Sequence, residues 1–272
     1  MILIIKLGIL EILGFLSAFL VGISLGLLGS GGSVLAMPIL TYLFKFNEKV
    51  ATAYSLFVVG ASALLASYRY GLKKLINYRV ALFFGIPSII SVIIVRYYLM
   101  PIIPEIVLNI NDFEISRRML ILGLFGILMI IAGYQMLKKK KHIKKRIKKS
   151  FNYPLTLLEG FAVGGLTGLI GAGGGFLIVP SLVILSDLKL KVAVGTSLLI
   201  ISVKSLLGFF IGDVMKINID WEFLGAFSAI ALIGILIGIT LSQHIKTNLL
   251  KKGFGLFITG MGIIILIFEF IL

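Results

Sequence analysis

The chain contains no cysteine. It therefore forms no disulfide, offers no thiolate nucleophile and builds no cysteine metal site. Histidine is nearly as scarce: His142 and His244 both lie in basic stretches, which excludes a histidine-rich metal site. Charge is thin, at 14% of residues against about 25% in soluble domains. Acids are fewest, 11 against 26 Lys and Arg. What remains is apolar: 59% of 272 residues, with a mean hydropathy of +1.14 and apolar runs of 18 residues or more between bunched charges. Such runs exclude a soluble domain, a disordered chain and a collagen-like chain, and they are too many for a single anchor. The reading is an all-α, polytopic helical membrane protein. The N-terminus carries Lys6 but no small-residue cleavage pattern, and reads as the start of a helix rather than a removed signal.

Hydropathy predicts ten segments, at 7–28, 33–44, 50–68, 80–100, 117–137, 154–170, 174–186, 190–212, 222–243 and 252–271. A helix needs about 20 residues to cross a bilayer. The second and seventh have only 12–13, too few to cross comfortably.

If each segment reverses the chain's side, starting outside, the loops on one face carry +17 and those on the other −2. The positive face holds Arg69, Lys73, Lys74 and Arg79, the run Lys138 to Lys149, the group around Lys189, and Lys246, Lys251 and Lys252. Four charges inside segments (Lys6, Glu11, Glu159 and Lys204) cancel. Cytoplasmic loops collect Lys and Arg, so the net +15 reports orientation and the connector 138–150 is expected to be cytoplasmic. That connector suits anionic lipid headgroups better than nucleic acid.

The connector separates two similar halves, 1–137 and 151–272. Residues 21–40 read VGISLGLLGSGGSVLAMPIL and residues 163–182 read VGGLTGLIGAGGGFLIVPSL, identical at ten of twenty positions at an offset of 142. The offset continues: Val50-Ala51 with Val192-Ala193, Ser55-Leu56 with Ser197-Leu198, Leu64-Leu65 with Leu206-Leu207. An odd number of segments per unit inserts the second unit upside down, giving two inverted-topology repeats, an architecture common in secondary transporters. Merging each short segment with its predecessor would give four crossings and parallel repeats, and the charge distribution argues against it.

Each half carries a glycine-rich break, Leu28-Gly-Ser-Gly-Gly-Ser33 and Ile170-Gly-Ala-Gly-Gly-Gly175, that ends a long helix and starts a short half-helix. Irregular backbone at membrane depth is tolerated where it is buried in protein or faces a water-filled cavity. Helix N-termini carry partial positive charge and suit anions. The residues placed at a substrate site are Gly29, Ser30, Gly31, Gly32 and Ser33 with Gly171, Ala172, Gly173, Gly174 and Gly175. A purely structural turn is the competing reading. Gly22, Gly26, Gly164 and Gly168 have small-xxx-small spacing and read as helix-packing positions. Pro38 and Pro180 start or kink the short helices.

Lys204 lies deep in VGTSLLIISVKSLLGFF, where a charge is expensive and faces an interior or a cavity, and its repeat partner is Ser62. Thr52, Ser55, Thr196 and Ser197 are candidate hydroxyls for a substrate, or bond back to their own helices. Glu159 could take up a proton or pair with Lys204. No GxSxG elbow, HExxH, P-loop or paired carboxylates appear, so no enzyme, metal or cofactor is expected.

Two copies of G-x3-G-L-x-G-x-G-G, each with a proline six residues on, and the stretch Val194-Gly-Thr-Ser-Leu-Leu-Ile-Ile resemble the sulfite exporter TauE/SafE family. The resemblance spans nearly the whole chain. It implies a multi-pass plasma-membrane transporter of small sulfur-containing anions such as sulfite, sulfoacetate or related sulfonates. Alternating access around both glycine breaks and Lys204 is one mechanism; an anion channel using the same loops as a filter is the alternative. An intramembrane enzyme or lipid-handling protein would need a reactive side chain that is not found. The oligomeric state is left open, a homodimer included.

Overall fold

The computed structural model describes residues 2–28, 33–110, 113–138, 153–171, 174–184, 186, 188–245 and 247–271. The basic run from 139 onward lies outside them. The helices are α1 (Ile2–Leu28), α2 (Ser33–Tyr42), α3 (Glu48–Leu72), α4 (Tyr78–Ile94), α5 (Met100–Ile102), α6 (Arg117–Leu137), α7 (Tyr153–Ile170), α8 (Gly175–Ile184), α9 (Leu190–Gly212), α10 (Trp221–His244) and α11 (Thr247–Phe270). Each of the ten apolar segments falls on one of them. Seven are long and apolar enough to cross a membrane among the described residues, so this is an all-α, multi-pass membrane protein. A small antiparallel hairpin, β1 (Ile106–Ile110) and β2 (Phe113–Ser116), stands where the sequence reading places only a loop.

The starts of the long helices are written locally. Asn47, Asn77, Ser116 and Asp220 each sit at an N-cap and accept a backbone N–H three residues on, opening α3, α4, α6 and α10. The half-helices α2 and α8 have ten residues each, about 15 Å at 1.5 Å per residue, half of a ~30 Å hydrocarbon core. Pro38 and Pro180 are interior residues of these helices, so they shape the short helices rather than start them.

Small residues set the packing. A methyl on Gly22 would lie 2.1 Å from Ala231 O, and one on Gly26 2.5 Å from Ile235 O, so α1 rides directly on the α10 backbone. The equivalent glycines do the same between α7 and α4: a methyl on Gly164 would lie 2.4 Å from Ser88 O, and one on Gly168 3.3 Å from Val92 Cα. Gly126 and Gly133 on α6 meet Gly262 and Gly255 on α11. The four glycines with small-xxx-small spacing are thus close-approach positions, as read.

These contacts also give directions. Positions rise together along α1 and α10 (Gly22 with Ala231, Gly26 with Ile235) and along α4 and α7 (Phe84 with Gly160, Ser88 with Gly164), so both pairs run parallel. In α3 and α9, Gly60 meets Leu206 and Tyr70 meets Gly195, so they run antiparallel. In α6 and α11, Gly126 meets Gly262 and Gly133 meets Gly255, antiparallel again. The helices α3 and α9 are the most enclosed spans and centre the largest apolar cluster, with Val58, Val59, Leu198 and Ile201 fully or almost fully buried.

Candidate functional site

The antiparallel register of α3 and α9 singles out one level. Two positions on from Gly60 is Ser62; two positions back from Leu206 is Lys204. In that register the two stand at the same level, and they are also the equivalent residues of the two sequence copies, at the offset of 142. A local twofold relation between α3 and α9 therefore passes between them. Lys204 is 1% exposed. Its Nζ donates to Thr167 Oγ1 at 2.7 Å. Neither Glu159 nor any other carboxylate pairs with it among the described residues, whose ion pairs are Arg96–Asp213, Arg117–Glu48 and Arg118–Glu269.

Thr167 brings Lys204 to the second glycine break. It lies in the last turn of α7, and Gly171 N–H donates to its carbonyl at 2.9 Å. Gly171 and Gly174 have φ of +72° and +68°, a left-handed conformation that glycine adopts without strain. Space demands glycine as well. A methyl on Gly174 would lie 1.8 Å from Thr167 Cγ2 and 3.0 Å from Lys204 Nζ, and one on Gly171 would lie 2.3 Å from Thr52 Cβ. The break is thus held between Thr52 of α3 on one side and Thr167 and Lys204 on the other.

Several buried hydroxyls lie along these helices. Some of the membrane-embedded serines donate to their own helix: Ser197 to Val194 O at 2.8 Å, Ser202 to Leu199 O at 2.9 Å. Ser55, Ser62, Ser88 and Ser205 are buried, and their Oγ atoms have no hydrogen-bond partner among the described residues. Gly85 lies against Ile200 and Val92 against Gly208, so α4 runs parallel to α9 and Ser88 stands level with Lys204. Ser62, Ser88, Ser205 and Lys204 therefore share one depth. A buried hydroxyl without a partner is costly where no solvent reaches, and a ligand that accepts its hydrogen bond removes that cost.

The sequence-derived residues are distributed as follows. Lys204, Gly174, Gly175 and Gly171 cluster around Thr167 or begin α8 beside it. Ser55 is on α3, one turn from Thr52. Ser197 bonds to its own helix. Thr196 Oγ1 accepts the Asn77 N–H at 2.9 Å, so it closes the turn ahead of α4 and stands eight residues, about 12 Å of helix, from Lys204. Ser33 is buried at the start of α2. Gly29, Ser30, Gly31, Gly32, Ala172 and Gly173 lie outside the described residues.

A second charged cluster was missed. Arg96 lies inside the apolar segment 80–100 and is 1% exposed in a π-helical turn, Val95–Leu99, that continues α4. Single π turns occur frequently at functional sites. Its Nε donates to Asp213 Oδ2 at 2.9 Å, its Nη2 reaches the same oxygen, and its Nη1 donates to Thr52 Oγ1 at 3.0 Å. Asp213 is buried at the end of α9. Burial pushes its carboxyl up, against the pull of Arg96 and Lys216. The signal was present: Arg96 is an ionisable residue inside the apolar segment 80–100, the same criterion that picked out Lys204.

The sulfite exporter TauE/SafE family profile matches residues 14–265, across both breaks, Arg96 and Lys204. The chain belongs to the sulfite exporter TauE/SafE family. A protein of Methanocaldococcus jannaschii described as a probable membrane transporter is 32% identical over 195 residues, 70% of this chain and 67% of its own. One from Xylella fastidiosa, described in the same words, is 28% identical over 262 residues and 92% of each chain. A third, from Bacillus subtilis, is 27% identical over 246 residues, 82% of this chain and 85% of its own. The chain is thus a membrane transporter of this family.

Proposed function

We propose that the chain exports a small sulfur-containing oxyanion, such as sulfite or an organosulfonate, by alternating access of two inverted halves about Lys204. The observation that carries this reading is a fully enclosed ammonium with no carboxylate partner among the described residues, beside a left-handed glycine break. A buried cation without a counterion is costly. An anion placed against it restores the balance, with the partnerless hydroxyls of Ser62, Ser88 and Ser205 at its depth supplying hydrogen bonds to its oxygens.

The inverted arrangement is supported by helix direction. Equivalent helices of inverted copies run oppositely, as α3 and α9 do and as α6 and α11 do. Parallel copies would make both pairs parallel. Substrate sites of such transporters sit at the midplane between the repeats, and Lys204 stands at the twofold relation of α3 and α9. An uncoupled anion would leave a negative-inside cell downhill, at about 2.3 kcal/mol per charge per 100 mV.

Proteoliposome flux tests the reading. Saturable movement of labelled sulfite, inhibited by sulfoacetate, is expected. Large single-channel currents would favour a channel using the same residues, and absence of oxyanion flux in folded protein would refute both.

A further inference from the structure

The cavity above Arg96 has the composition of an anion site, and nothing so far gives it a role. Its volume is about 150 Å³, and it is lined by Lys49, Arg96, Gly212, Asp213 and Lys216 among others. That is below the ~300 Å³ at which organic-ligand pockets begin, so it suits an ion of a few heavy atoms. Three cations face it against one carboxylate. It lies at the membrane face where α3 and α6 begin and α9 ends, opposite the end of α6 that leads to the basic connector.

Arg96 is only partly used. A guanidinium has five N–H donors. Among the described residues three are engaged: Nε and one Nη2 N–H on a single carboxylate oxygen, and one Nη1 N–H on Thr52. Arginine grips carboxylates most firmly with two parallel bonds to two oxygens. Here Asp213 offers one oxygen, which leaves donors for a ligand with several. Lys216 is drawn aside, its Nζ donating to Tyr97 O at 2.6 Å and lying 3.9 Å from the Tyr97 ring centroid. The cluster also connects to the central site: Thr52, which accepts from Arg96, is the residue against which Gly171 is packed, and Asp213 ends the helix that carries Lys204.

We infer that this cavity is a second oxyanion site at the mouth of the pathway, in which Asp213 acts as a tethered surrogate anion: it occupies Arg96 when the mouth is empty and yields it to the arriving or departing oxyanion. Exchange of Asp213 for the ligand frees the end of α9 from α4, and with it the Thr52–Gly171 contact that closes the second break from this side. This rests on the reading that the chain carries small oxyanions.

The test is equilibrium binding of labelled sulfite to the purified full chain. Asp213→Asn removes the competing charge but keeps the shape, and is expected to tighten binding at least threefold. Adding Arg96→Gln should erase that gain. Because Asp213→Asn leaves a buried guanidinium, a second arm uses Lys49→Gln with Lys216→Gln, both at the cavity rim, with an unchanged melting temperature as the criterion of folding. That pair should weaken binding severalfold and flatten its dependence on salt. Wild-type binding with unchanged or weaker affinity in Asp213→Asn, or no loss in the double lysine variant, overturns the mouth site alone. Wild-type protein that binds no oxyanion overturns the anion-carrier reading as well.

Discussion

Lys204 donates to Thr167 Oγ1 across 2.7 Å, and this hydrogen bond joins a cation only 1% exposed to the glycine break that ends α7. If the ammonium exists to hold an anion, it is a stability cost kept for function. Lys204→Met fills similar volume without the charge. We expect it to cut sulfite flux at least tenfold and to leave the melting temperature unchanged or raised, since well-packed apolar replacements of buried charges are commonly neutral or stabilising. Flux and thermal melting on the same preparation check both halves of the statement.

Gly174 is fixed by two constraints, its φ of +68° and the Thr167 methyl 1.8 Å from any added Cβ. Gly174→Ala should cost about 1–3 kcal/mol and reduce transport. Thr167→Ser removes that methyl and keeps the hydroxyl that Lys204 uses. Combined with Gly174→Ala it should recover part of the lost stability but not the strain from φ, which a melting series resolves.

The ten apolar helices and the left-handed glycines of the second break were legible because hydrocarbon imposes a strong length rule and because the glycine motif occurs twice. Lys204 was legible because a charge amid apolar residues is rare. Arg96, Thr52 and Asp213 were not read as a unit because they are 44 and 117 residues apart and meet only through the packing of three helices. The role of Thr196 was hidden for the same reason: its partner, the Asn77 N–H, is 119 residues away. The hairpin at 106–116 escaped because eight paired residues make too short a run to carry a clear periodic signal.

Glycines at the helix crossings should be far less replaceable than those facing outward. A methyl on Gly164 meets Ser88 O at 2.4 Å, whereas nothing lies within 4 Å of one on Gly225, Gly253 or Gly260. Gly164→Ala should lower the melting temperature clearly. Gly225→Ala should raise stability slightly, by up to about 1 kcal/mol, through helix propensity.

The Arg96–Asp213 pair is buried, so removing one partner is costly. Arg96→Leu alone should destabilise by about 3–5 kcal/mol, and Arg96→Leu with Asp213→Leu should recover most of it. Denaturation of the two variants against wild type gives the comparison.

The natural absence of cysteine makes helix direction testable without a background. Cysteines at Gly60 and Leu206 should cross-link, as should a pair at Tyr70 and Gly195. Pairing of Gly60 with Gly195 instead would mean that α3 and α9 run parallel.

The most direct test of the central claim is a structure with a heavy oxyanion, selenite, bound at saturating concentration. The account predicts its density within hydrogen-bonding distance of Lys204 Nζ, beside Thr167 and Gly174, and its loss in Lys204→Met. Selenite ordered elsewhere in the membrane region, with Lys204 still bonded only to Thr167, would contradict it.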